Sequence, residues 1–163
     1  MKSPLRVSAL QMATSDDPAR NAAKIHKGID EAGGQCADLL VVPECALSGY
    51  LPSKGLDFEA LHDAQNEVVS HAAEKGMWLA LGTTTRRDGR WFNTALLFSP
   101  GGDLVASYDK TELTSGDGDV FAPGEDLPAH ILALPEDADP NLTIAFRVER
   151  PEERRIKRRL PAP

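Results

Sequence analysis

The sequence predicts an α/β fold, and three observations carry that prediction. Leu39-Leu40-Val41-Val42 is a short apolar run, β-branched at its end and stopped at once by Pro43. That is the pattern of a strand buried on both faces, as in a covered parallel sheet. Ahead of it lie a strand-like stretch and then apolar residues at helical spacing, which gives the order strand, helix, strand. Behind it a second helical stretch leads into three strand-like runs separated by strong turn signals, the pattern of an antiparallel meander.

The elements follow in order. Leu5 to Gln11 has period-2 character and reads as the first strand. Asp16-Asp17-Pro18 starts a helix, with a capping acid and proline in the first turn. Ala22, Ile25, Ile29 and Ala32 form its apolar face, and Gly33-Gly34 ends it. With the Leu39–Val42 strand this makes a βαβ unit with a right-handed crossover. Tyr50 to Gly55 reads as a loop, placed to form a pocket wall beside Glu44. A second helix is expected from Asp57 to Glu74, with Phe58, Leu61, Val68, Val69 and Ala72 on its apolar face and Gly76 as the stop. His62 and His71 fall on or near this helix without metal-ligand spacing, and both read as surface or boundary residues. Met77 to Leu81 begins the next strand, Asp88-Gly89 turns it, and Trp91 to Phe98 returns. Pro100-Gly101-Gly102-Asp103 is another turn, and Leu104 to Tyr108 leaves it. Asn93 is a polar residue inside a strand and calls for a buried partner. Glu125 to Pro140 reads as a loop, and Leu142 to Phe146 as one more strand.

Composition narrows the function classes. The 163 residues suffice for one domain with a real core. The formal net charge is −7, which argues against a nucleic-acid binder. From Arg147 onward seven basic residues face three acidic ones, a net of +4, so the rest of the chain carries −11. No run approaches the roughly 20 apolar residues of a membrane span, and residues 1–15 lack the apolar core of a secretory leader. The expected location is cytoplasmic and reducing. Cys36 and Cys45 are separated by eight residues, which fits neither CxxC nor a zinc set, and no cofactor or metal is expected.

Glu44 sits where the Leu39–Val42 strand stops. In α/β folds ligands and chemistry gather at the carboxyl ends of strands. A carboxylate there, backed by an apolar strand, is expected to be partly desolvated and suited to acid–base work. The alternative is a solvated loop glutamate. Cys45 reads as a small structural thiol, because adjacent residues on an extended strand end point to opposite faces.

A second stretch bears on that choice. LLVVPECALSGY, followed about sixty residues later by YDKTEL and then FAPG, resembles the nitrilase or carbon–nitrogen hydrolase superfamily over nearly the whole chain from Leu5. The resemblance implies hydrolysis of non-peptide amide, carbamoyl or nitrile bonds by a Glu, a Lys and a Cys. It implies a partial α-β-β-α sandwich, with residues 4–152 as an incomplete first half of the family domain and 153–163 as a basic, disordered tail. Glu44 matches the general base and Lys110 the lysine that stabilises the tetrahedral intermediate. Many members carry a second glutamate before the F-x-P-G segment; here that place holds Asp117, one methylene shorter. Asp117, Asp119 and Glu125 read equally as loop solvation.

The nucleophile departs from the pattern. The family's cysteine lies in a segment like I-C-[FY]-D-x-x-F-P-E. Here Ile144-Ala145-Phe146-Arg147-Val148-Glu149-Arg150-Pro151-Glu152 keeps Ile144, Phe146, Pro151 and Glu152. Ala145 falls on the nucleophile and Arg147 on the following acid. A methyl cannot attack a carbon, and no cysteine occurs after Cys45. The expectation is a chain truncated at this segment, by frameshift or otherwise, and inactive as it stands. The alternative is a pseudoenzyme that binds ligand or a family partner. Implied partners are a small amide, carbamoyl or nitrile compound and other copies of the chain, since the family commonly assembles as dimers or larger; nucleic acid and membrane are not among them. A basic tail binding polyanions is the third reading, opposed by the acidic bulk.

Overall fold

The structure, a computed structural model, describes residues 5–50 and 55–125. In chain order these form β1 (Val7–Ala9), α1 (Pro18–Gly34), β2 (Leu39–Val41), α2 (Phe58–Glu74), β3 (Trp78–Arg87), β4 (Arg90–Phe98) and β5 (Leu104–Asp109). The five strands make one sheet in the order β1-β2-β3-β4-β5. β1, β2 and β3 pair in parallel, because a helix intervenes in each connection. β3, β4 and β5 pair antiparallel through tight turns.

Both helices begin as their sequences dictate. The Asp17 side chain accepts hydrogen bonds from the Ala19 and Arg20 amides, and Asp57 from those of Glu59 and Ala60. Ala22, Ile25, Ile29 and Ala32 of α1 and Leu61, Ala64, Val68 and Ala72 of α2 are buried against one face of the sheet. Leu40, Val42, Leu79, Leu81, Leu96 and Phe98 meet them there. On the other face Leu39, Trp78, Ala80, Leu97 and Ala106 form a separate cluster. Among the described residues neither helix packs on that face, so the arrangement is one helix layer on one sheet layer, half of the four-layer sandwich.

Several expectations need correction. The first strand spans Val7–Ala9 rather than Leu5–Gln11, although the Leu10 amide still reaches the Val41 carbonyl at 2.9 Å. β2 is buried on both faces only in part: Leu39 and Leu40 are buried on opposite faces, but Val41, on the face of Leu39, is 37% exposed. Phe58 is 41% exposed and sets its ring against Trp91, while Ala64 fills the helix face instead. α1, by contrast, ends at Gly34 as expected, and the left-handed residue that follows it is Cys36 (φ 54°). The expected strand at 142–146, Ala145 and the nucleophile segment, and the tail at 153–163 lie outside the described residues.

Candidate active site

The site is built on a turn that the sheet admits at one glycine. After β2 the Val42 amide still pairs with the Ala80 carbonyl at 2.8 Å. The chain then coils: Ala46 N donates to Pro43 O at 3.2 Å, Gly49 N to Cys45 O at 2.8 Å, and Leu47 N to Gly82 O at 3.1 Å. A Cβ on Gly82 would stand 2.0 Å from the Pro43 carbonyl oxygen and 2.9 Å from the Glu44 Cα. Only glycine on β3 lets the Glu44 turn lie this close. From the helix side Asn21, fully buried, donates to Leu47 O at 3.0 Å and Ser15 O at 2.7 Å. Gly82 and Asn21 were not singled out in the sequence; the signal for Gly82 was a lone glycine inside the β-run WLALGTTT.

Three segments distant in sequence meet above this turn. Lys110, the residue after β5, donates from Nζ to Glu44 Oε1 at 2.7 Å and to Asp117 Oδ2 at 2.7 Å. Asn93 Nδ2 donates to Glu44 Oε1 at 2.6 Å, and the Tyr50 hydroxyl to Oε2 at 3.1 Å. The Asn93 carbonyl accepts from the Lys110 amide at 2.8 Å. Asn93, itself buried, therefore has a side-chain partner, but that partner is the exposed Glu44 and not a buried group; Tyr50 does border Glu44.

The FAPG segment explains how Asp117 arrives. Asp117 accepts from the Thr114 amide through its side chain and from the Phe121 amide through its carbonyl. Phe121 bridges to Trp91 on β4, Ala122 N donates to Trp91 O at 2.8 Å, and Gly124 N donates to Lys110 O at 3.0 Å. A Cβ on Gly124 would stand 2.3 Å from the Asp109 carbonyl oxygen. The loop is thus latched to β4 and to the residue it serves. The shorter acid reaches the lysine in full.

Electrostatics follow from this geometry. Burial works against the charged form of Lys110, but hydrogen bonds to Asp117 and Glu44, with their charges, outweigh it and raise its pKa. Burial likewise opposes charge on Asp117; the Lys110 and Thr114 hydrogen bonds outweigh it and hold the carboxyl below its usual range. Tyr50 is pushed up to about 12, by burial first and then by the charge of Glu44. Glu44 itself is 42% exposed, so the desolvation expected of it is not supplied by the described residues.

Cys45 is fully buried, and burial followed by the charge of Glu44 pushes its thiol up to about 12. It is a buried thiol, as a structural one would be, but for a different geometric reason: it lies inside a turn at φ 49°, not on an extended strand end. Among the described residues no three His, Cys, Asp or Glu side chains are grouped to hold a metal. His71 is a boundary residue but a partnered one, within 2.8 Å of His26 and 3.1 Å of Asp30; His62 is exposed and meets Asn66. A cleft lined by Arg87, Arg90, Phe92 and Pro123 contains none of the Glu44, Lys110 and Asp117 group.

A base, an ammonium and a second acid in contact can move a proton and hold developing negative charge. The carbon-nitrogen hydrolase family model matches residues 6–134. The chain is 30% identical to omega-amidase NIT2 of Danio rerio over 126 residues, which is 76% of this chain and 44% of that protein. It is 28% identical to human omega-amidase NIT2 over 123 residues, 74% of this chain and 43% of that one. Among solved structures, an amidase from Nesterenkonia sp. superposes with a TM-score of 0.72 at 28% identity, covering 82% of this chain and 53% of that one. A cysteine-to-alanine variant of the Nesterenkonia sp. AN1 amidase, described in complex with butyramide, gives 0.71 at 26% identity, with coverage of 80% and 52%. The chain spans less than half the length of the curated relatives it matches and about half that of the solved ones.

Proposed function

We propose a function from one premise: the chain belongs to the carbon–nitrogen hydrolase family. Glu44, Lys110 and Asp117 are the acid–base and cation part of a site for small amide, carbamoyl or nitrile compounds, and the 163 residues bring no thiol to it. The observation that carries this reading is the Lys110 ammonium, 2.7 Å from each of two carboxylates, one 66 residues away in the chain and one seven. In the reaction class Glu44 takes the proton of the attacking group, Lys110 holds the charge that builds on the substrate heteroatom, and Asp117 keeps Lys110 protonated and placed. Cys45 cannot supply the attacking sulfur, being buried and held as a thiol. Ala145, aligned with the family's nucleophile, has none to offer. The chain as it stands binds such compounds without turning them over, in a cytoplasmic setting that suits its free cysteines.

The test is incubation of the purified protein with butyramide, an N-carbamoyl amino acid and a nitrile. The expected result is no ammonia and no acyl adduct by intact mass, with butyramide binding that weakens in Glu44→Gln. Ammonia release abolished by Glu44→Gln would overturn the non-hydrolytic part. In Ala145→Cys a substrate-derived adduct would support the alignment, and its absence would count against it.

A further inference from the structure

The carboxylate of Glu44 is held unequally. Oε1 accepts two hydrogen bonds, from Asn93 Nδ2 at 2.6 Å and Lys110 Nζ at 2.7 Å. Oε2 accepts one longer bond, from the Tyr50 hydroxyl at 3.1 Å. With about two lone-pair sites per carboxylate oxygen, Oε1 is filled and Oε2 keeps a free site. The two sides also differ in access: Asn93 is buried, whereas Tyr50 is exposed. The orientation of the Asn93 amide is fixed by charge, since turning it would set Oδ1 against a carboxylate oxygen. The same residue pins the lysine, because its carbonyl accepts from the Lys110 amide at 2.8 Å.

Resting on the reading of Glu44 as the base, we propose that Asn93 is a positioning residue that, with Lys110, anchors Glu44 through Oε1, so that Oε2 alone takes the proton and the Tyr50 hydroxyl is the donor that marks it. In that step the X–H bond of an incoming water or thiol breaks, its electron pair stays on X, and the hydrogen bonds to the free site of Oε2 beside the Tyr50 hydroxyl. Tyr50 does not compete as a base, since its phenol stays protonated up to about pH 12. Thr84 lies directly across the ladder from Asn93, with a buried hydroxyl that has no hydrogen-bond partner among the described residues. It is the matched control: Thr84→Val changes a buried side chain at the same place without removing a hydrogen bond from Glu44.

The experiment follows the Tyr50 phenol by 19F NMR in protein labelled with 3-fluorotyrosine. The chain has two tyrosines, so Tyr50→Phe identifies the signal. Titration of Tyr50 is expected to fall toward the ordinary phenol range by about one pH unit in Glu44→Gln, and part of the way in Asn93→Ala. Thr84→Val is expected to leave it in place. A folded Asn93→Ala protein that titrates like wild type, or a Thr84→Val protein that shifts as far as Asn93→Ala, would overturn the proposal. A second measurement needs no change at Asn93: its side-chain amide signal should move in Glu44→Gln, and a fixed signal would equally overturn it. Butyramide binding, read on the Lys110 ammonium signal, should weaken roughly tenfold in Asn93→Ala. If wild type binds no butyramide while Tyr50 and Asn93 respond as expected, the amide reading fails and the division of the carboxylate stands.

Discussion

Among the described residues, two polar clusters hold a lysine against a carboxylate in different ways. Between the helices, Lys75 meets Asp30 at 2.8 Å, Asp30 meets His71, and His71 meets His26. That cluster runs from partly buried histidines to an exposed ion pair, with one acid for its lysine, and it lowers the Asp30 pKa, chiefly through the Lys75 hydrogen bond. At the strand ends, Lys110 meets two acids at 2.7 Å each, and one of them is also held by Asn93 and Tyr50. An ion pair on a surface is ordinary and contributes little. An ammonium shared by two carboxylates, one of them also held by a buried amide, is a more constrained arrangement. The number of partners is what separates the two clusters.

The sharpest way to break the comparison is Gly82→Ala. The added methyl has no room beside Pro43 O, so the Glu44 turn must lift away from β3. A loss of about 3 kcal/mol in urea unfolding is expected, with the His26–His71 contact unchanged by NMR in the folded fraction. Next comes Lys110→Met, which leaves Glu44 and Asp117 facing each other without a cation. A fully buried pair broken on one side costs several kcal/mol; allowing for the exposure of Glu44, about 2 kcal/mol is expected here. Lys110→Met combined with Asp117→Asn should recover part of that loss in a double-mutant cycle.

The pH responses are smaller and separate in range. The folded pKa of Asp117 lies below its ordinary value of 3.8. Its contribution is therefore present above that value and lost as pH falls through the folded one, where the unfolded chain binds the extra proton. Asp117→Asn should flatten this acid limb in unfolding curves. The folded pKa of His26 lies below 6.5, from burial first and then the facing charge of His71, opposed by Glu67 and Asp30. Stability from this group is present above pH 6.5 and declines as pH drops through the window below it, where the unfolded chain protonates first. The smallest expected effect is a fall in Tm between pH 7.5 and 5.5 that His26→Gln removes.

Much of the scaffold was legible because local rules set it. The cap at Asp17, the start of the second helix near Asp57, most of the helix faces and the Asp88-Gly89 turn each depend on neighbours close in sequence. Other features were not legible for a common reason. Cys36 takes the left-handed position beside two glycines, Val41 is exposed on a strand that reads as buried, and Phe58 leaves its helix face for Trp91. In each case the deciding contact, or the missing one, belongs to another segment. His26 shows the same limit, since its partner His71 lies 45 residues away.

The sequence alone determined which chemistry is on offer: a glutamate after an apolar strand, a lysine after a β-run, an acid before FAPG, and no thiol downstream of Cys45. These are matters of residue type and order, which spacing and motif can fix. The tertiary structure decided that Glu44 and Asp117 share the Lys110 ammonium, that Asp117 is long enough to reach it, and that one Glu44 oxygen has two donors and the other one. Those depend on hydrogen-bond distances between segments as many as 66 residues apart. They were settled by the missing side chain of Gly82 and the buried amide of Asn93, where close backbone approach and polar satisfaction, not local propensity, set the geometry.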